Sequence, residues 1–275
     1  MAGYAPQGED GPGKLALALI ALEKGHYPFK NYRRAHAKSV FFPGCNFPSL
    51  YPKTCAALAQ LLQEQCDMGI AYDCCGKPLR MMGREDRFQQ IAQRISERLN
   101  ACGAEEIVCA CPNCFYALRG VISQRVTSVY AKLAELGITA ALPCDQSQPV
   151  MFPACPDRRE ALLLQDAMGL VDGHPRVPMC AGVSHAQAAL SKKPAPSCKR
   201  EGSCEGCAVL PCCRHDCSSV IAKDEQIVTY CASCVGYLTG AGYFHVEHVL
   251  CAALGTHEQP DMAKSFINRA RTKFA

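Results

Sequence analysis

The chain has 275 residues, 49% of them hydrophobic, and a net charge of +4 from 29 basic and 25 acidic side chains. That length allows one large domain or two ordinary ones, and the charge is too mild, with no run of like charges, to suggest a nucleic-acid binder. One residue type stands out: 21 cysteines, about 8% of the chain.

Residues 1–13 are polar and rich in Gly and Pro, unlike a secretory leader, and the apolar run from Leu15 to Leu22 is too short to cross a bilayer. A reducing cytoplasmic setting is therefore expected, where many cysteines mean metal or redox work rather than disulfide staples. The odd count points the same way. Val40 to Phe42 reads as a short buried strand leading to Cys45. Thr54 is expected to cap a helix carrying Leu58, Leu61 and Leu62. Asp86 is expected to cap another, with Phe88, Ile91, Ala92, Ile95 and Leu99 on one face. Between them lies Cys74-Cys75-Gly76. Ile107-Val108 reads as a second buried strand, delivering Cys111 in Cys111-Pro112-Asn113-Cys114. Alternating strands and helices imply an α/β unit with a mainly parallel sheet, in which ligands sit beyond the carboxyl ends of the strands.

The cysteines of this stretch are spaced C-x28-C-C-x35-C-x2-C. Neighbouring cysteines are awkward disulfide partners, but two adjacent thiolates can bind different irons of one cluster. Five thiolates from three points of a domain therefore suggest an iron–sulfur site more crowded than the usual four-cysteine kind.

The pattern then repeats. Ser39-Val40-Phe41-Phe42-Pro43-Gly44-Cys45 resembles Pro149-Val150-Met151-Phe152-Pro153-Ala154-Cys155, at an offset of 155 − 45 = 110. Glu106-Ile107-Val108-Cys109-Ala110-Cys111-Pro112-Asn113-Cys114 resembles Gln226-Ile227-Val228-Thr229-Tyr230-Cys231-Ala232-Ser233-Cys234, at 231 − 111 = 120. Two matched pairs in the same order indicate a duplicated unit. The expected organisation is an N-terminal extension over 1–37, a first iron–sulfur domain over 38–145, a second, divergent one over 146–255, and a tail over 256–275.

These residues resemble the cysteine-rich CCG domain family over roughly residues 38 to 255, and in layout most resemble the disulfide-reducing subunit of heterodisulfide reductase. The iron–sulfur subunits of anaerobic glycerol-3-phosphate dehydrogenase and of lactate utilisation share the pattern. The resemblance implies two Rossmann-like α/β units. It implies that Cys45, Cys74, Cys75, Cys111 and Cys114 ligate one noncubane [4Fe-4S] cluster, with open iron positions at which a disulfide could be cleaved.

In the second half Cys155, Cys231 and Cys234 keep their places, but no cysteine pair occurs near residues 190–195. Three readings of the intervening loop stay open. Cys212-Cys213 supplies the missing pair and completes a second cluster with Cys155, Cys231 and Cys234. Alternatively, Cys198, Cys204, Cys207 and Cys217, with Cys180 as a further candidate, hold an ordinary [4Fe-4S] cluster or zinc. In the third reading the loop is redox-labile and carries no metal.

Other residues are weighed more plainly. Cys55, Cys66, Cys102, Cys109 and Cys251 read as core. His245, His248 and Cys251 are spaced to share one helical face, where a structural role is the ordinary one. Lys77, Arg80 and Arg84 read as surface residues that could also offset cluster charge. Ferredoxin, dinucleotide and P-loop motifs are missing from the sequence, so electrons are expected from a partner with ferredoxin-type clusters or flavin. The leading expectation is a cytoplasmic oxidoreductase subunit, peripheral to a membrane only through a partner, that reduces a small disulfide. The alternatives are a non-catalytic electron-transfer subunit of a dehydrogenase complex and a zinc-stabilised interaction protein.

Overall fold

The structure is a computed structural model that describes residues 14–141, 149–157, 160–172, 175, 177 and 221–275. It divides into two compact units, one built from residues 14–129 with 258–275 and the other from residues 130–257.

The first unit is an α/β layer structure. After α1 (Lys14–His26) and β1 (Asn31–Arg34), the chain runs β2 (Ser39–Phe42), α2 (Phe47–Leu50), α3 (Pro52–Cys66), β3 (Gly69–Tyr72) and α4 (Lys77–Met81). It continues through α5 (Glu85–Ala101), β4 (Glu106–Cys109), α6 (Pro112–Leu118) and β5 (Arg125–Ser128), and α7 (Val129–Glu135) starts on the last residue of this stretch and lies otherwise in the second unit. The sheet order is β1-β3-β2-β4-β5, parallel throughout except for β1, which pairs antiparallel with β3. Strands buried on both faces read as unbroken apolar runs, and Val40, Phe41, Phe42, Ile107 and Val108 are fully buried. The chain leaves β2 to one side for β3 and returns to the other side for β4. The β2/β4 boundary is thus the topological switch point, where open α/β sheets bind their ligands.

Two helix starts differ from the sequence expectation. Tyr51, not Thr54, is the N-cap of α3, and the orphan N–H groups of Lys53 and Thr54 donate instead to the Glu258 carboxylate at 3.1 and 2.8 Å. Arg84 is the N-cap of α5, and Asp86 lies in the first turn beside Glu85, where acidic charge suits the helix dipole. The amphipathic face of α5 is as read, with Phe88, Ile91, Ala92, Ile95 and Leu99 buried.

The last helix of the chain, α11 (Ser265–Thr272), belongs to this first unit. The Asn268 amide donates to the Ser49 carbonyl at 3.1 Å, and the Asn31 amide donates to the carbonyls of Thr272 and Ala275 at 2.9 Å each.

The second unit repeats the central strands. Its described elements are β6 (Val150–Phe152), a 3-10 turn at Cys155–Asp157, α8 (Leu162–Leu170), β7 (Gln226–Thr229), α9 (Ala232–Gly240), β8 (His245–His248) and α10 (Val249–Ala253). The sheet β6-β7-β8 is parallel. Its register is that of the first unit: Val150 opposite Ile227 matches Val40 opposite Ile107, and Ile227 opposite Val246 matches Ile107 opposite Val126. His245 and His248 are on a strand, not a helix, so an offset of three turns them to opposite faces. His245 is exposed and His248 buried. Among the described residues no helix is long and apolar enough to cross a membrane.

Candidate metal centre

Three loops at the carboxyl edge of the first sheet carry the five expected cysteines. Cys45 follows β2, Cys74 and Cys75 follow β3, and Cys111 and Cys114 follow β4. Cys74, Cys75 and Cys114 are buried, whereas Cys45 and Cys111 are half-buried. Cys111 is the N-cap of α6 and Cys114 sits one turn in, so this helix start turns two sulfurs toward the same place.

The sulfurs are linked. Cys45 and Cys74 share a hydrogen bond, and Cys114 is hydrogen-bonded to both Cys111 and Cys75. Gly44 explains how the β2 loop comes so close. Its φ of +75° is left-handed, and a Cβ there would stand 2.7 Å from Cys114 Sγ and 3.5 Å from Cys111 Cβ. Glycine is the residue that meets both demands. Gly76, with φ +76°, likewise turns the chain sharply after the cysteine pair.

The hydrogen bond from Cys74, helped by the nearby charges of Lys24 and Arg269, brings the Cys45 thiol down to about 6 despite its burial. The same bond, with burial, holds Cys74 well above its ordinary value. Cys114 is pushed up by its bonds to Cys111 and Cys75 and then by burial. Thiolates are the metal-binding form, so a metal taken up here would displace to solvent the protons that these sulfurs share.

Residues outside the expected set complete the surroundings. Asp73 is buried; its carboxylate accepts from the Cys74 backbone N–H at 2.7 Å, from Tyr32 Oη at 2.9 Å and from Arg98 Nη1 at 3.1 Å. Burial pushes its pKa up, against these three partners. Lys24 Nζ lies 3.9 Å from Cys45 Sγ. Burial alone would lower the Lys24 pKa, but the Cys45 and Cys74 sulfurs and Glu23 outweigh it and hold the ammonium charged. Arg269, from α11, is ion-paired to Glu23. Tyr27 and Phe29 form a buried group with Cys74, against which Cys45 and Ala270 rest, and the Tyr27 hydroxyl is buried with no hydrogen-bond partner. Of the three cations read as surface residues, Arg80 and Arg84 are exposed, Arg80 pairing with Glu85, whereas Lys77 is buried at the start of α4.

This donor set fits an iron–sulfur group. Five thiols exceed the four that a tetrahedral zinc takes; among the described residues no three His, Cys, Asp or Glu side chains stand grouped as a metal-ion site, so the fit rests on the number and kind of these donors. An orphaned hydroxyl beside the sulfurs is the kind of donor that a bound sulfide or thiolate satisfies.

In the second unit, Cys155 follows β6, Cys231 is the N-cap of α9 and Cys234 sits one turn in, in the same places as Cys45, Cys111 and Cys114. Cys234 is hydrogen-bonded to Cys155 and Cys231 and raised well above its ordinary value by those bonds and burial, while the bond from Cys234 lowers Cys231. Ala154 replaces Gly44. Tyr230 Oη donates to Asp157 at 2.7 Å, and Asp157 also accepts the N–H groups of Leu163 and Leu164, tying the Cys155 turn to α8. Cys180, Cys198, Cys204, Cys207, Cys212, Cys213 and Cys217 lie outside the described residues.

Cys55, Cys109 and Cys251 are buried, and Cys66 and Cys102 half-buried. Burial raises Cys109, as do Cys111 and Cys75 close by. The signals for Lys24, Tyr27 and Arg269 were absent from the cysteine spacing, because these residues reach the site from both ends of the chain.

Residues 39–119 match the family model of the CCG cysteine-rich domain, a stretch that holds all five candidate ligands of the first unit. The match runs from β2 to just past α6 and leaves out α1, α11 and the second unit. No curated protein matches the chain.

Proposed function

We propose that Cys45, Cys74, Cys75, Cys111 and Cys114 hold an iron–sulfur cluster, of the noncubane [4Fe-4S] kind, and that the chain is an oxidoreductase subunit that reduces a small disulfide. What supports this reading is that the five cysteines follow the carboxyl ends of three neighbouring parallel strands, β3, β2 and β4, beside the switch point of the sheet, inside a stretch that matches the CCG domain. When bound, such a group supplies one-electron transfers and an iron position at which a sulfur ligand can bind. The protein's own residues do the rest. Asp73 fixes the backbone of Cys74, burial of Cys74, Cys75 and Cys114 keeps water from most of the sulfurs, and half-buried Cys45 and Cys111 mark the side open to a substrate. The electrons come from a partner with ferredoxin-type clusters or flavin. A second cluster, held by Cys155, Cys231 and Cys234 with Cys212 and Cys213, belongs to the same proposal.

The test is turnover of small disulfides by protein purified without oxygen, with reduced methyl viologen as donor. Dye oxidation that depends on disulfide, and is lost in Cys75→Ala, is the expected result. Redox cycling of the protein without turnover assigns it to electron transfer instead. Colourless protein holding zinc and no sulfide contradicts both and leaves the zinc-stabilised interaction module.

A further inference from the structure

The end of α1 presents two hydrogen-bond donors to the Cys45/Cys74 side of the site, and neither belongs to the stretch that matches the CCG domain. Lys24 Nζ reaches Cys45 Sγ at 3.9 Å, with its side chain only 14% exposed. Tyr27 is 2% exposed and packs on Cys74, and its hydroxyl is an orphan. The Tyr27 backbone has φ +22°, a costly conformation for a residue with a side chain, which the surroundings must hold in place. An aromatic frame does so. Tyr27 and Phe29 meet edge to face at 5.7 Å, Lys24 Nζ stands 5.8 Å from the Tyr27 ring centre, and Arg269 stands 5.7 Å from that of Phe29. Glu23 accepts from Lys24 at 3.1 Å and from Arg269, so this two-cation, one-anion group keeps one net positive charge.

A buried donor without an acceptor is costly, and native structures rarely keep one without a use. Here the acceptors beside the Tyr27 ring and Lys24 are the sulfurs of Cys74 and Cys45. A thiolate-bound iron–sulfur group is anionic, and charge and hydrogen bonds at its sulfurs set its potential. We propose that Lys24 and Tyr27 are positioning residues that donate to sulfur on the Cys45/Cys74 side of the bound group and raise its reduction potential. The inference rests on the iron–sulfur reading of the site. Asp73 acts on the same loop from the backbone side, and Arg269 is held by Glu23 and adds its charge from farther off, so Lys24, in reach of Cys45 Sγ, and Tyr27, packed on Cys74, are the two donors nearest the sulfurs.

The experiment is a dithionite titration, monitored by electron paramagnetic resonance at fixed pH, of the full chain and of Lys24→Met, Lys24→Arg and Tyr27→Phe, with iron and sulfide counted on each. Lys24→Met is expected to lower the equilibrium constant for reduction about tenfold, which for a one-electron couple is about 59 mV, with iron and sulfide retained. Tyr27→Phe should shift the potential the same way by less, and Lys24→Arg, which keeps the charge, should stay near the parent value. Unchanged potentials in Lys24→Met and Tyr27→Phe with iron retained overturn the proposal and leave the iron–sulfur reading standing. Loss of iron from both variants makes the two residues structural and also overturns it. A parent chain with no iron or sulfide defeats the iron–sulfur reading and this inference with it.

Discussion

Cys45 and His248 show that burial does not move every titratable group in the same way. Cys45 has Cys74 and Lys24 to stabilise negative charge and falls to about 6. His248 is fully buried, and burial brings it down to about 3 from an ordinary 6.5. Its neutral Nδ1 accepts the Leu250 N–H at 3.2 Å and so caps α10. The sign follows from linkage. Between about 6.5 and about 3 the unfolded chain binds a proton at this position and the folded chain does not, so stability rises with pH across that window. Stability from this residue is complete above about 6.5 and is lost as pH falls toward about 3. Going from pH 7.5 to 5.5 should cost the second unit about 1.4 kcal/mol through this residue alone. His248→Asn keeps a capping acceptor and cannot titrate, so urea unfolding at the two pH values should show that loss in the parent and not in the variant. The sequence spacing suggested a helical His–His–Cys face here. The strand was hidden because four residues, His-Val-Glu-His, carry too little apolar alternation to separate a period of 2 from one of 3.6.

At the scale of elements, the helices between the strands of the first unit were legible from their apolar faces, and their starts were not. Thr54 has the chemistry of an N-cap, yet its hydroxyl donates to Glu258 at 2.8 Å, and that carboxylate takes over the first-turn amides of α3. A cap supplied by a residue more than two hundred positions away leaves no local signal. The same holds for α11. Its buried side chains, Asn268 and Thr272, are polar, while Phe266 and Ile267 are exposed. Nothing apolar in its pattern announces where it packs. Replacing Glu258 with Ala should therefore loosen α3 in the first unit. The expected cost is about 1 kcal/mol, in the range of a lost cap, read as faster amide hydrogen exchange at Lys53 and Thr54 with α5 unchanged. Equal exchange in parent and variant contradicts this role for Glu258. Because α3 leads from the Cys45 loop to β3 and the Cys74–Cys75 pair, the cap also bears on how well the thiols are held.

Across the whole chain, the duplication was the most legible feature, and the registers show why. A buried parallel strand must keep its apolar residues in step with both neighbours, since a slip of one residue reverses every side chain. Val40–Ile107 and Val150–Ile227 thus preserve one pairing at offsets of 110 and 120, and the β4–β5 and β7–β8 pairings preserve a second at an offset of 120. That second pairing escaped the sequence reading because Arg125-Val126-Thr127-Ser128 and His245-Val246-Glu247-His248 share little beyond one valine. The cysteine positions were legible for the same reason that the strands were, for each follows the carboxyl end of a buried run. The charged and aromatic frame of Glu23, Lys24, Tyr27 and Arg269 was not, since it is assembled from helices whose own patterns say nothing about cysteine. Everything proposed for the chain depends on the first unit's five thiols holding an iron–sulfur cluster. The decisive experiment is the iron, acid-labile sulfide and zinc content per chain, compared between the parent and Cys75→Ala, both purified without oxygen and both checked for folding by circular dichroism. The folded variant should lose about four irons with their sulfide, as one [4Fe-4S] group requires. A folded variant with the parent's iron content, or a parent that holds zinc and no sulfide, would contradict the assignment.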